Sequence, residues 1–271
     1  MKSKRSLSFF AAVIVYLLML SALSIYDLSF SENMTASASD LFVQFGARVG
    51  PMPMFLISAW ILNCLFLYRD KKSGANMAVF LLCGGAAYIL ACPDPGRIPD
   101  LLLAAACWSG LFFLVRKLPC PEQSERVIRF LRMGLLVIVL GFVIVQICKF
   151  TWGRPRYLAI IQEGAEFQEW LKIQGFAVRD DLYRSFPSGH TYCAACSFLT
   201  VLIPDLFPEC SVKRWELGLG AFCFTMIIAL SRIAAGKHFI SDVMAGGGIF
   251  LVVFGITLAI EWRKLYEPNH R

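Results

Sequence analysis

Residues 133–148 read MGLLVIVLGFVIVQIC, sixteen positions without a charged side chain, closed by Arg132 on one side and Lys149 on the other. A helix on the surface of a soluble protein needs a polar stripe, and this run has none. As a helix it rises about 24 Å, close to the roughly 30 Å hydrocarbon core of a bilayer. Apolar runs of the same character recur near 7–26, 49–68, 73–93, 98–115, 187–204, 217–231 and 243–260. The pattern predicts an all-α polytopic transmembrane bundle of about eight spans. Residues 73–115 can instead form a shallow hairpin, which leaves six spans and moves no other loop to the opposite side.

Composition agrees with that reading. Of the 271 residues 58% are hydrophobic and 17% charged, against roughly half and about a quarter in soluble domains. A secreted disulfide scaffold, a disordered chain and a basic nucleic-acid binder are all excluded. The ten cysteines do not form a framework, because Cys64, Cys83, Cys107, Cys148, Cys193, Cys196 and Cys223 sit inside apolar runs as small hydrophobes. Cys193 and Cys196 have metal-ligand spacing but no second Cys or His pair.

The net charge of +7 is informative through its placement. With the N-terminus inside, sixteen of the 26 Lys and Arg residues fall on the cytoplasmic side, so the positive-inside rule puts both termini in the cytoplasm of a bacterial-type inner membrane. Lys2, Lys4 and Arg5 before the first run imitate a signal peptide. The small-residue Ala36-Ser37-Ala38 site lies too far beyond it, and a retained first helix is expected. Residues 1–132 are read as accessory transmembrane helices, 133–262 as the core with an outer loop at 150–186, and 263–271 as a cytoplasmic tail. Within the outer loop, Phe167, Trp170, Leu171 and Gln174 have helical spacing, which predicts a short amphipathic helix lying either on the outer membrane surface or over the bundle's own loops.

Only three histidines occur, and two of them, His190 and His238, fall at expected outer ends of spans. Lys149, Arg154 and Arg156 follow the fifth span, Pro187-Ser188-Gly189-His190 opens the sixth, Ser231-Arg232 closes the seventh, and His238 and Asp242 open the eighth. Each feature alone has an ordinary structural use, as a headgroup anchor or a helix cap. Together they form a site. His238 and Asp242 are four apart, so a carboxylate can orient the imidazole and leave its other nitrogen free to attack. Ser188 and the helix start beside it offer donors to phosphate oxygens. Lys149, Arg156 and Arg232 would neutralise a transferring phosphoryl group, and His190 would protonate the leaving alcohol.

Lys149-x6-Arg156, Pro187-Ser188-Gly189-His190 and Ser231-Arg232-x5-His238-x3-Asp242 resemble the three ordered motifs of the type 2 phosphatidic acid phosphatases, the membrane branch of the superfamily that includes vanadium haloperoxidases. The resemblance covers roughly residues 149–242. It implies a helical bundle, a lipid phosphate substrate, hydrolysis without metal or other cofactor, and a phosphohistidine intermediate. Carried over, the phosphate-binding roles fall on Lys149, Arg156, Ser188, Gly189 and Arg232, with His190 as acid, His238 as nucleophile and Asp242 as its partner. The first motif of the family ends in Arg-Pro, whereas Arg156 precedes Tyr157 and the pair Arg154-Pro155 stands two residues earlier. Arg156 keeps the family spacing, and Arg154 is its alternative. The expected function is an integral-membrane lipid phosphatase. A lipid phosphotransferase with the same site, and a non-catalytic transporter of phosphorylated lipids or anions, are the alternatives.

Overall fold

The computed structural model describes residues 2–37, 39–69, 118–175 and 180–266. Helix α1 (Lys2–Leu23) passes through a 3-10 turn (Ser24–Tyr26) into α2 (Asp27–Ser37), followed by α3 (Asp40–Val49) and α4 (Met52–Arg69). The long α5 (Glu125–Trp152) precedes the short α6 (Tyr157–Glu163). Then α7 (Gly189–Ala195) runs through a 3-10 segment (Cys196–Leu202) into α8 (Ile203–Leu206), and α9 (Arg214–Ala234) and α10 (Ile240–Tyr266) complete the order. Among the described residues there is no strand.

Five helical stretches among the described residues are long and apolar enough to cross a membrane: Phe10–Thr35, Asp40–Tyr68, Glu125–Glu163, Arg214–Ala234 and Ile240–Glu261. The expected spans at 73–93 and 98–115 lie outside the described residues, as does the tail beyond 266. The expected sixth span, 187–204, is helical but is not one α-helix. Its mixed α and 3-10 winding stretches residues 189–206 to about 30 Å, where a pure α-helix would reach about 27 Å. The first stretch also outruns its expected end at Tyr26, because Asp27 is buried and paired rather than facing water.

Helix α10 packs against α5, α7 and α1, and α9 packs against α3, α7 and the 3-10 segment. The interior between α4, α5, α7 and α10 is filled by Val137, Val145, Tyr192, Cys196 and Phe250. Tyr192 takes its hydroxyl into that interior and donates it to the carbonyls of Val137 and Ile138, each 2.9 Å away. Along α5, Gly134, Val137, Gly141 and Val145 are buried, while Leu136, Val139, Val143 and Ile147 are exposed and form the face turned toward lipid. Helices α7 and α10 touch at Gly246, where a Cβ would lie 2.3 Å from the Ser188 carbonyl. Small residues permit this kind of backbone approach in membrane bundles.

The bundle has two polar ends. At one, Asp205 at the end of α8 pairs with Arg126 of α5 and Arg214 of α9. The opposite end collects the C-termini of α5 and α9 and the N-termini of α7 and α10. There α5 stops at Gly153 in a left-handed conformation, φ 64°, which suits glycine at a helix C-terminus. That reversal turns Arg154, Pro155 and Arg156 back over the bundle.

Candidate active site

Lys149, in the last turn of α5, donates its ammonium to the Arg184 carbonyl at 2.8 Å. Its side chain also lies over Gly189, where a Cβ would come 3.4 Å from the lysine Cε. Arg156 is buried and grips Asp181 with both terminal nitrogens, at 2.9 and 2.7 Å. Arg232, at the end of α9, is buried as well. Lys149, Arg156, Arg232, His190 and His238 lie within electrostatic range of one another. Yet Arg156 Nε, His190 Nε2, and Nε and Nη1 of Arg232 are buried with no hydrogen-bond partner among the described residues. A buried polar atom left unsatisfied costs about 1–3 kcal/mol. Several such atoms among like charges form a surface suited to an anion with many acceptor oxygens, such as phosphate.

Beside these donors stands His238, between α9 and α10 and buried. Its Nδ1 lies 2.6 Å from the Ser185 carbonyl. A carbonyl can only accept, so Nδ1 carries the hydrogen and Nε2 of the neutral ring carries the lone pair. Burial holds the imidazole down at about 3, with Asp242 opposing and Lys149 and Arg156 adding to the depression, so at neutral pH the ring is uncharged. The sequence predicted that Asp242 would orient the ring from the same helix face. Instead, His238 precedes α10, and the carboxylate is 3.8 Å from Nδ1, too far for a hydrogen bond but near enough to act through its charge.

Asp242 is itself held tightly. Its carboxylate accepts from the Phe239 backbone N–H at 2.8 Å, the reciprocal half of a capping box at the start of α10. It also accepts from the Ser185 hydroxyl at 2.5 Å and from Arg154 Nη1 at 2.6 Å. Ser188 caps α7, accepting from the Thr191 N–H and hydroxyl, and its own N–H donates to the Asp242 carbonyl at 2.9 Å. The chain segments carrying Ser185, Ser188 and His238 are thus fixed on one carboxylate residue.

The two arginines of the first motif separate cleanly. Arg154 is fully buried, and its nitrogens bond Asp27, Ser241, Asp242 and the Gln168 carbonyl. Arg156 is the one that joins Lys149 and Arg232. The expected amphipathic helix is not formed: residues 164–175 are irregular apart from a turn at 170–171. Gly164 ends α6 in a left-handed conformation. Beyond it, the backbone is held by side chains, with the Trp152 indole on the Trp170 carbonyl and the Gln168 amide on the Lys172 carbonyl. Trp152 and Trp170 both stack on Phe186, with ring centroids 5.0 and 5.9 Å away.

Sequence reasoning missed Asp181, Ser185, Ser241 and Asp27. The loop from 150 to 186 carries five basic and five acidic residues, so nothing in its composition set Asp181 apart. Burial pushes the Asp181 carboxyl up, but Arg156, Lys237 and Lys149 outweigh it and leave the group below the ordinary carboxylate value. Among the described residues, no three His, Cys, Asp or Glu side chains gather as a metal site, and Cys193 faces the Met54 sulfur in the core.

A family model described as the PAP2 superfamily matches residues 130–266. The lipid A 4'-phosphatase of Rhizobium etli is 26% identical over 228 residues, covering 79% of this chain and 82% of the relative. The enzyme of the same name from Rhizobium leguminosarum is 24% identical over 211 residues, covering 72% and 84%. Phosphatidylglycerophosphatase B of Bacillus subtilis is 28% identical over 79 residues, which are 28% of this chain and 39% of the relative. The crystal structure of the transmembrane PAP2 type phosphatidylglycerolphosphate phosphatase from Bacillus subtilis aligns with a TM-score of 0.43 at 16% identity, over 93% of this chain and 96% of that one.

Proposed function

The chain belongs to the PAP2 superfamily, and on that premise we propose that it releases phosphate from a membrane lipid through a phosphohistidine formed on His238. It is an integral membrane protein and a phosphoric ester hydrolase. In the first step Lys149, Arg156 and Arg232 bind the phosphate oxygens, with Ser188 and Gly189 at the helix start beside them. His238 Nε2 attacks phosphorus, and the bond to the lipid oxygen breaks as His190 supplies its proton. In the second step His190 takes a proton from water, the hydroxide attacks the phosphohistidine, and His238 leaves as the neutral imidazole. Asp242 offsets the positive charge that the ring bears while phosphorylated.

The observation that carries this reading is the His238 Nδ1–H held on the Ser185 carbonyl, which leaves Nε2 as the free nitrogen beside buried polar atoms with no partner among the described residues. The neutralising charges are side chains, so the reaction needs no metal. Positive charge outside the site concentrates on the loops assigned to the cytoplasm, which supports a site opening on the periplasmic face of an inner membrane. The substrate class is a lipid phosphate or diphosphate. Lipid A stands ahead of phosphatidic acid, phosphatidylglycerol phosphate and undecaprenyl diphosphate, because the relatives that align along most of the chain are named for it. The test is phosphate release by the purified protein across these four lipids with EDTA present. Release from at least one of them, undiminished by chelation, is expected; release that vanishes with EDTA and returns with a divalent ion would overturn the metal-free chemistry.

A further inference from the structure

Helices α1 and α2 precede the region matched by the family model, which begins at residue 130, yet α2 sends a carboxylate into the centre of the catalytic end. Asp27 is fully buried. One of its oxygens accepts the Ser241 backbone N–H at 2.9 Å. The other accepts the Ser241 hydroxyl at 2.5 Å and Arg154 Nη2 at 2.8 Å. The Ser241 hydroxyl in turn accepts from Arg154 Nη1 at 2.7 Å. Every donor here has an acceptor, and Asp27 acts only as an acceptor, as an ionised carboxylate does.

We propose that Asp27 is a positioning residue for the hydrolysis, holding Arg154 and the first turn of α10 so that Asp242 keeps its negative charge directed at His238; this rests on the phosphohistidine reading given above. Two physical effects point this way. First, Ser241 is in the first turn of α10, where backbone N–H groups have no partner within the helix. Asp27 supplies one from 214 residues away in sequence, and Asp242 is the next residue. Second, one guanidinium stands between two carboxylates, a net charge of −1. Without Asp27, Arg154 would be balanced by Asp242 alone, and the field that Asp242 exerts on His238 at 3.8 Å would be largely cancelled. That field is what the ring needs once it carries a phosphoryl group. An apolar contact would dock α2 with no desolvation of charge, since a buried ion pair adds little net stability over a hydrophobic replacement. Stability therefore does not account for Asp27 being charged.

A second docking contact serves as the control. Tyr16 of α1 donates its hydroxyl to the Met244 carbonyl of α10 at 2.5 Å and packs beside Leu20, Phe186 and Ala245. The full chain in detergent is assayed for phosphate release and for vanadate inhibition as wild type, Asp27→Asn, Tyr16→Phe, Ser241→Ala and His238→Ala. Asp27→Asn is expected to lower kcat about 10- to 100-fold with KM within about twofold, since the phosphate-binding side chains are untouched. It should also weaken vanadate, which needs an oriented His238, more than it weakens inhibition by inorganic phosphate. Tyr16→Phe should lower the melting temperature and leave kcat unchanged. Should Asp27→Asn fail to fold, Ser241→Ala decides: it keeps the Asp27–Arg154 pair, removes the hydroxyl link, and should cost kcat severalfold at unchanged KM. The proposal is overturned if Asp27→Asn loses activity only in step with its folded fraction, as Tyr16→Phe would, if its loss appears in KM alone, or if it does not fold and Ser241→Ala retains full kcat. Full turnover by His238→Ala would instead remove the phosphohistidine reading and leave the Asp27 result to be judged on its own.

Discussion

Arg154 and Arg156 are separated by one proline and live in opposite electrostatic worlds. Around Arg154 every nitrogen is matched, by Asp27, Ser241, Asp242 and the Gln168 carbonyl, and the guanidinium lies 4.4 Å from the Phe239 ring centroid and 5.5 Å from that of Phe167. Around Arg156 the neighbours include Lys149 and Arg232, and among the described residues Asp181 is its one ion-pair partner and Nε has none. Full satisfaction marks a part that holds shape, whereas unsatisfied donors held together against their mutual repulsion mark the place where an anion is to come. Gly153, left-handed at the end of α5, reverses the chain, and two arginines one proline apart then face different partners.

The widest separation should come from removing each arginine in turn. Arg154→Ala leaves two buried carboxylates without their shared cation, and breaking such a pair costs about 3–5 kcal/mol, so loss of the folded protein is expected by melting in detergent. Arg156→Ala relieves repulsion. It should melt within a few degrees of wild type while kcat/KM falls about 10²- to 10³-fold, and Arg232→Ala should behave alike. If Arg154→Ala folds and Arg156→Ala does not, the two regions have been assigned the wrong way round.

In the sequence the two arginines stood as alternatives for one role, with spacing favouring Arg156. The apolar runs gave α1, α4, α5, α9 and α10, and the spacing of Lys149, Arg156, Pro187 to His190, Arg232, His238 and Asp242 named the residues that the folded bundle brings to one end. What could not be read was long-range pairing. Asp27 marks the end of an apolar run to any hydropathy scale, and partners far along the chain, Arg154 at 127 positions and Ser241 at 214, let the helical stretch continue through it. The lipid-facing and buried faces of α5 are equally apolar, so periodicity gave no rotation for that helix. The amphipathic spacing at 167–174 misled because tryptophan and glutamine side chains, rather than a helix ladder, take up the backbone groups there. The oxygen that orients His238 is a backbone carbonyl, at Ser185, and side-chain motifs do not encode it.

A smaller effect sharpens the same comparison through acid stability. An exposed histidine titrates near 6.5, whereas His238 in the folded protein is held at about 3. Between those values the unfolded chain binds one more proton than the folded one, so stability is complete above about pH 6.5 and declines on acidification by at most about 1.4 kcal/mol per pH unit. His238→Ala lacks this contribution. The gap in melting temperature between wild type and His238→Ala should shift against wild type as pH falls from 7 to 5. Parallel melting curves across that range would mean that His238 is not held neutral in the folded state.

A covalent phosphohistidine can be trapped by rapid quenching during turnover of a radiolabelled lipid phosphate. Phosphorus bound to imidazole nitrogen is lost in acid and kept in alkali, the reverse of a carboxyl phosphate. A transient, acid-labile and alkali-stable label is expected that maps to the peptide containing His238, appears at a rate no slower than turnover, and is absent from His238→Ala. A label on any other residue, or turnover at the wild-type rate by His238→Ala, would contradict it.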